Sequence, residues 1–123
     1  MAIEWDEQIV IADLSDEPAL SDELAALGDR LVAIKDDELV PHVVANFADV
    51  SYVNSSNIAQ LLRVRKRVVN AGKAMRLASV HEDVWAVMIV TGLDRLFTCA
   101  PDTMTAIAGL QLEMESAGEG AED

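Results

Sequence analysis

Little in this sequence is positively charged, sulfur-bearing or aromatic, and each shortage excludes something. A single cysteine, Cys99, permits no internal disulfide, so an intracellular reducing setting fits. Only 4% of residues are aromatic, so the core must be built from aliphatic side chains and alanine. Nine Lys and Arg stand against 22 Asp and Glu, a formal net charge of −13. That balance argues against nucleic acid and against anionic membranes, because affinity for phosphate rests on cations. The longest apolar run, Val84-Trp85-Ala86-Val87-Met88-Ile89-Val90, is far short of the roughly 18 residues that span a bilayer. The start, Met1-Ala2-Ile3-Glu4-Trp5-Asp6-Glu7, is acidic where a signal peptide is basic. A soluble, cytoplasmic protein is expected. His42 and His81 are isolated, no second thiol exists and no glycine-rich phosphate loop is present. Neither a metal nor an organic cofactor is expected, and the acids are dispersed as on a solvated surface, so an enzyme is not expected either.

What is present reads as one domain over residues 1–115 followed by a small, acidic, glycine-containing tail, 116–123, expected to be disordered. Gln8 to Leu14 carries the β-branched residues of a strand, with a possible hairpin from Ile3–Trp5 turning at Asp6-Glu7. Leu20, Leu24, Leu27, Leu31 and Ile34 recur at helical steps. Val40 to Phe47 is apolar on both faces, as a central strand covered on both sides would be. Ile58, Leu61, Leu62, Val64, Val68 and Val69 predict a helix ending near Gly72, and Lys73 to Val80 another strand. Ser79-Val80-His81-Glu82 matches a capping box and predicts a helix from near Val80. The β-branched content of Val84 to Val90 favours a strand, but Gly92 then stands where a helix C-terminus needs it, so helix is preferred. Leu96 to Ala100 predicts a last strand. After Pro101, a final helix is expected to face inward with Met104, Ile107, Leu110 or Gln111, and Met114. Strands and helices in alternation indicate an α/β layer fold: a largely parallel or mixed sheet of four to five strands with about four helices.

Three local features bear on function. Cys99 lies in an apolar run and reads as a buried structural thiol rather than a nucleophile. Arg63, Arg65, Lys66 and Arg67 supply four of the nine cations; they read first as a solvated helix face opposing the macrodipole and second as a docking face for an acidic partner. The most informative stretch runs from Phe47 to Leu62, where an apolar strand passes through Asn54-Ser55-Ser56-Asn57 into a helix. Helix N-termini leave unpaired N–H groups and carry partial positive charge, so Asn54, Ser55 and Ser56 stand where a capping oxygen or a phosphate is held. Capping alone explains such residues in many proteins. Asn54-Ser55-Ser56 also fits a glycosylation sequon, which a cytoplasmic chain does not use.

This order of elements and three motifs resemble the STAS domain, named for sulfate transporters and anti-sigma factor antagonists, and most closely its stand-alone bacterial antagonists. Asp49-Val50-Ser51-Tyr52-Val53 followed by Asn54-Ser55-Ser56-Asn57-Ile58 is similar to the family's Asp-Leu-Ser-Phe/Tyr-Met/Val and Asp-Ser-Ser-Gly-Leu. Met88-Ile89-Val90-Thr91-Gly92-Leu93 with Leu96-Phe97, and Thr103 to Leu110, are similar to its hydrophobic helix and its last helix. The likeness covers about Gln8 to Leu112. It implies a non-catalytic regulator that binds an anti-sigma factor, itself a serine kinase, and is switched by phosphorylation at Ser55, with a phosphatase resetting it. Ser56 and Ser51 are the alternative hydroxyls. Asn54, Ser55, Ser56 and Asn57 would form the partner-facing switch loop, with Asn54 and Asn57 departing from the family's aspartate and glycine. The alternative is a constitutive STAS scaffold module, in which Ser55 is only a cap.

Overall fold

The computed structural model describes residues 2–5, 8–35 and 38–122. Along the chain run β1 (Ala2–Trp5), β2 (Ile9–Ser15), α1 (Ala19–Val32), β3 (His42–Asp49), α2 (Ser55–Asn70), β4 (Met75–Ala78), α3 (Glu82–Val90), a single 3-10 turn (Leu93–Arg95), β5 (Thr98–Ala100) and α4 (Thr103–Glu122). The sheet follows chain order, β1-β2-β3-β4-β5. β1 runs antiparallel to β2, while β2, β3, β4 and β5 are mutually parallel. The hairpin expected between the first two strands is present; its turn at Asp6-Glu7 lies outside the described residues. Parallel neighbours in chain order, each joined by a right-handed crossover, place α1, α2 and α3 on one face. α4 takes the other.

Alternation along β3 decides which layer each residue joins. Val43, Ala45 and Phe47 enter the larger core with Leu20, Leu24, Leu27 and Leu31 of α1 and Leu61, Val64 and Val68 of α2. Val44 points the other way, joining Ala78, Ala106 and Leu110 beneath α4. Both faces of the strand are buried, as its apolar run predicts. Each fully buried leucine stabilises by roughly 1.5–3 kcal/mol, whereas an exposed pair such as Arg63–Asp29 at 2.9 Å contributes about 0.2–1 kcal/mol. Apolar contact therefore holds the layers. Gly28 faces α2: a Cβ there would lie 3.0 Å from Nη1 of Arg63 and 3.7 Å from a methyl of Val64.

Several elements differ from expectation. The β4 ladder spans only Met75–Ala78, because β3 offers it partners only from Val43 to Asn46. Ser79 has a positive φ of 56° and donates its hydroxyl to the Pro101 carbonyl at 3.2 Å. It is therefore not an N-cap, and α3 begins at Glu82 behind His81 with no side-chain cap. α3 ends as expected, with Gly92 left-handed at φ 76°. α4 is rotated from its expected phase: Ala106 and Leu110 are buried, Ile107 and Met114 are half-buried, and Met104 is 80% exposed. Small Ala106 meeting Ala78 lets the helix lie close to the sheet. The α4 backbone stays helical through Glu122, so residues 116–122 of the segment that composition assigns to a tail continue the helix.

Candidate functional site

The C-terminal ends of the parallel strands carry the polar loops, and the loop after β3 is held at several points. Val50 and Val53 are buried, at 0% and 3% exposure, so the intervening Ser51 and Tyr52 are turned outward. Ser51 donates its N–H and its hydroxyl to the two oxygens of Asp16, at 2.8 and 2.7 Å. Those bonds, with a smaller contribution from the Tyr52 N–H and from His81, hold the Asp16 carboxyl below its usual range. The Ser51 hydroxyl is thus committed. His81 Nε2 donates to the Ala48 carbonyl at 2.7 Å, tying the loop after β4 to the end of β3.

A reciprocal capping box starts α2. The Asn57 N–H donates to Asn54 Oδ1 at 2.9 Å, and the Asn54 N–H donates to Asn57 Oδ1 at 3.0 Å. Asn57 is fully buried, with its amide group turned toward the Ser21 hydroxyl at 3.4 Å. Ser21 in turn donates its N–H and hydroxyl to Glu17, both at 2.6 Å. These bonds, and then the Asn57 and Asn54 amides, lower the Glu17 pKa. Gln60 Nε2 donates to the Ser21 carbonyl at 2.9 Å, leaving its own Oε1 buried without a partner. The expectation that Asn57 faces a partner is therefore corrected: it serves the helix start from inside.

Ser55 and Ser56, the first two residues of α2, are both exposed, and neither hydroxyl has a hydrogen-bond partner among the described residues. Asn54 caps the helix and Ser55 does not. Asp16 and Glu17 are exposed and shifted toward the charged form, which suits fixed acceptors and not proton transfer near pH 7. Among the described residues no three His, Cys, Asp or Glu are grouped to hold a metal ion, and no helix is long and apolar enough to cross a membrane.

The basic cluster is largely occupied within the fold. Arg67 donates from Nε and Nη2 to the carbonyls of Leu31 and Ile34, at 3.1 and 2.9 Å, closing the end of α1. Arg65 donates to the Leu96 carbonyl at 2.9 Å, and Arg63 pairs with Asp29. Only Lys66 keeps the simple solvated role, so a four-cation docking face is not what the structure presents. No signal in the chain marks these bonds, since their acceptors, backbone carbonyls for Arg65 and Arg67 and a carboxylate for Arg63, are more than thirty residues away. Cys99 is also corrected: it is exposed on β5, and partial burial pushes its thiol up to about 11. His42 accepts from the Ala74 N–H at 3.0 Å, and burial, with Lys73 next, lowers its pKa. It works as a structural acceptor.

Residues 6–106 match the family model of the STAS domain. The chain belongs to the STAS domain family. Among solved structures, this STAS domain is similar to an anti-sigma-factor antagonist domain protein from Planctomyces limnophilus, at 16% identity and a TM-score of 0.74, covering 89% of this chain and 97% of that one. A serine-to-glutamate variant of Moorella thermoacetica RsbS aligns at 13% identity and a TM-score of 0.76, covering 93% and 97%. The phosphorylated form of Bacillus SpoIIAA aligns at 16% and 0.59, covering 80% and 89%. No curated protein matches. Within this STAS domain the two departures from the Asp-Ser-Ser-Gly pattern act together, because glycine at 57 has no side chain to accept from the residue 54 N–H.

Proposed function

We propose that this STAS domain is a non-catalytic regulatory protein of the anti-sigma factor antagonist type, acting in the cytoplasm. Its partner is an anti-sigma factor that is also a serine kinase, and phosphorylation at Ser55 switches the complex off until a phosphatase resets it. One observation carries the reading: Ser55 projects an exposed, unbonded hydroxyl from a helix start that Asn54 and Asn57 hold without it. A phosphoryl group can be added there without breaking the cap. It brings about −1.5 to −2 charges beside Asp16 and Glu17, which are already held in their charged form. A partner fitted to a neutral hydroxyl then meets concentrated negative charge.

Incubation with an anti-sigma serine kinase and ATP, read by intact-mass spectrometry, is expected to add one phosphate that Ser55→Ala abolishes. Persistence of that phosphate in Ser55→Ala, with loss in Ser56→Ala, moves the site. A Ser55→Glu protein that stays folded and still binds the partner with unchanged affinity favours the constitutive scaffold instead.

A further inference from the structure

The loop ends of the molecule carry a second feature that the Ser55 switch does not use. All nine cations fall within residues 30–35 and 63–76 or at 95, at or just beyond the end of α1, in the second half of α2, before and within β4, and in the turn before β5. The loops at the C-terminal ends of the strands carry the exposed acids Asp16, Glu17, Asp49, Glu82, Asp83 and Asp102, and no Lys or Arg. Asp16, Glu17 and Asp102 bond to neutral donors, from Ser51, Ser21 and Thr105. Their charge is thus used in the fold but not cancelled.

This acidic end carries two apolar features, one on the loop after β3 and one between the loops after β4 and β5, and His81 ties the first of these strand ends to the second through the Ala48 carbonyl. Tyr52 is 65% exposed, and its backbone is fixed between buried Val50 and Val53 and by the Asp16 bonds to Ser51. Beyond His81, a groove of about 300 Å³ is lined by the apolar Val80, Trp85, Ala100 and Pro101 together with Ser79, Glu82 and Cys99. Ser79 preforms it, donating its N–H to Ala100 and its hydroxyl to Pro101 and so locking the loops after β4 and β5 together. The volume is at the lower limit for small-molecule sites; it suits one or two side chains rather than a whole cofactor. Rigid, exposed aromatics next to preformed apolar pockets are the features that concentrate binding energy at protein interfaces.

We propose that this end is a docking surface for a basic segment of a partner protein, which places one apolar side chain in the Val80–Trp85–Pro101 groove, packs against Tyr52 and sets Lys or Arg against the surrounding acids. The occupant is a cationic protein segment because a surface of one charge sign rejects its like and steers its opposite. Ser55 does not line the groove, and a phosphate on Ser55 adds negative charge to the same end, so it does not weaken a contact with a basic segment.

The single cysteine makes the test direct, since a bulky thiol-reactive label on Cys99 fills the groove after folding. The probe is a short synthetic peptide with a central leucine flanked by lysines, titrated into the isotope-labelled full chain and followed by NMR. Saturable shifts of the Trp85 indole N–H and the Val80 and Ala100 amides are expected. They should vanish on Cys99 labelling, weaken roughly tenfold in Tyr52→Ala, and weaken with added salt. Replacing the peptide's lysines by glutamates should abolish binding. Shifts that survive the label, that are equal for a leucine-to-serine peptide, or that are absent altogether overturn the proposal. The Cys99 label leaves the Ser55 hydroxyl untouched, and phosphate addition is read by mass on the unlabelled chain, so failure of the phosphorylation reading is seen separately from failure of the groove.

Discussion

Replacing Asn57 by alanine tests the structural basis of the switch loop most sharply. The substitution removes the acceptor of the Asn54 N–H, at 3.0 Å, and a longer contact of 3.4 Å to Ser21. The Asn54 N–H is part-buried and the partner it loses is fully buried, so water replaces that partner only in part; a buried donor left unpaired costs about 1–3 kcal/mol. The small gain in helix propensity from alanine, roughly 0.5 kcal/mol, offsets little of this. A net loss of about 1.5 kcal/mol is expected, or roughly 6 °C in Tm at about 4 °C per kcal/mol for a domain of this size. Ser55→Ala removes only an exposed, unbonded hydroxyl and is expected to stay within about 0.5 kcal/mol. Urea denaturation of both variants with far-UV circular dichroism decides between them. If Ser55→Ala loses a kilocalorie or more while Asn57→Ala is neutral, Ser55 closes the helix, and the claim that its hydroxyl is free for modification fails.

Arg67→Ala is expected to lose roughly 2 kcal/mol, because the Leu31 and Ile34 carbonyls at the end of α1 lose their donor, whereas Lys66→Ala should be near neutral by the same denaturation measurement. An equal, negligible effect for both would return the cluster to a solvated face. The lowered Asp16 pKa makes its anchoring of Ser51 pH-dependent: the contribution is present above the ordinary value of 3.8 and is lost as pH falls through the folded value. The stability gap between wild type and Asp16→Ala should therefore shrink as pH drops below about 3.8, and a gap unchanged down to pH 2 would refute that anchor.

The layers were legible because hydrophobic periodicity is a local record of burial. Leu20, Leu24, Leu27 and Leu31 point to one side of α1, and β3 is apolar on both sides as a central strand must be. The family motifs located Ser55 correctly at the start of α2. What escaped was chemistry completed by distant partners. The Ser-x-x-Glu pattern at Ser79 resembles a capping box, yet Ser79 bonds to Pro101 across the groove; the working box is made by Asn54 and Asn57, a pairing without the usual serine or glutamate. Cys99 sits in an apolar run but on an outer strand, where one side of the chain has no neighbour. α4 missed its phase because Met104 is more hydrophobic than Ala106, while close approach to Ala78 needs the smaller side chain.

β5 is one of the two edge strands, three residues long and followed by Pro101, which has no N–H to donate. A visiting strand would find almost no row of donors and acceptors to extend. This margin is blunted against edge-to-edge growth of the sheet. It also constrains recruitment along this margin: a partner there has little main chain to pair with and must read side chains and loop ends.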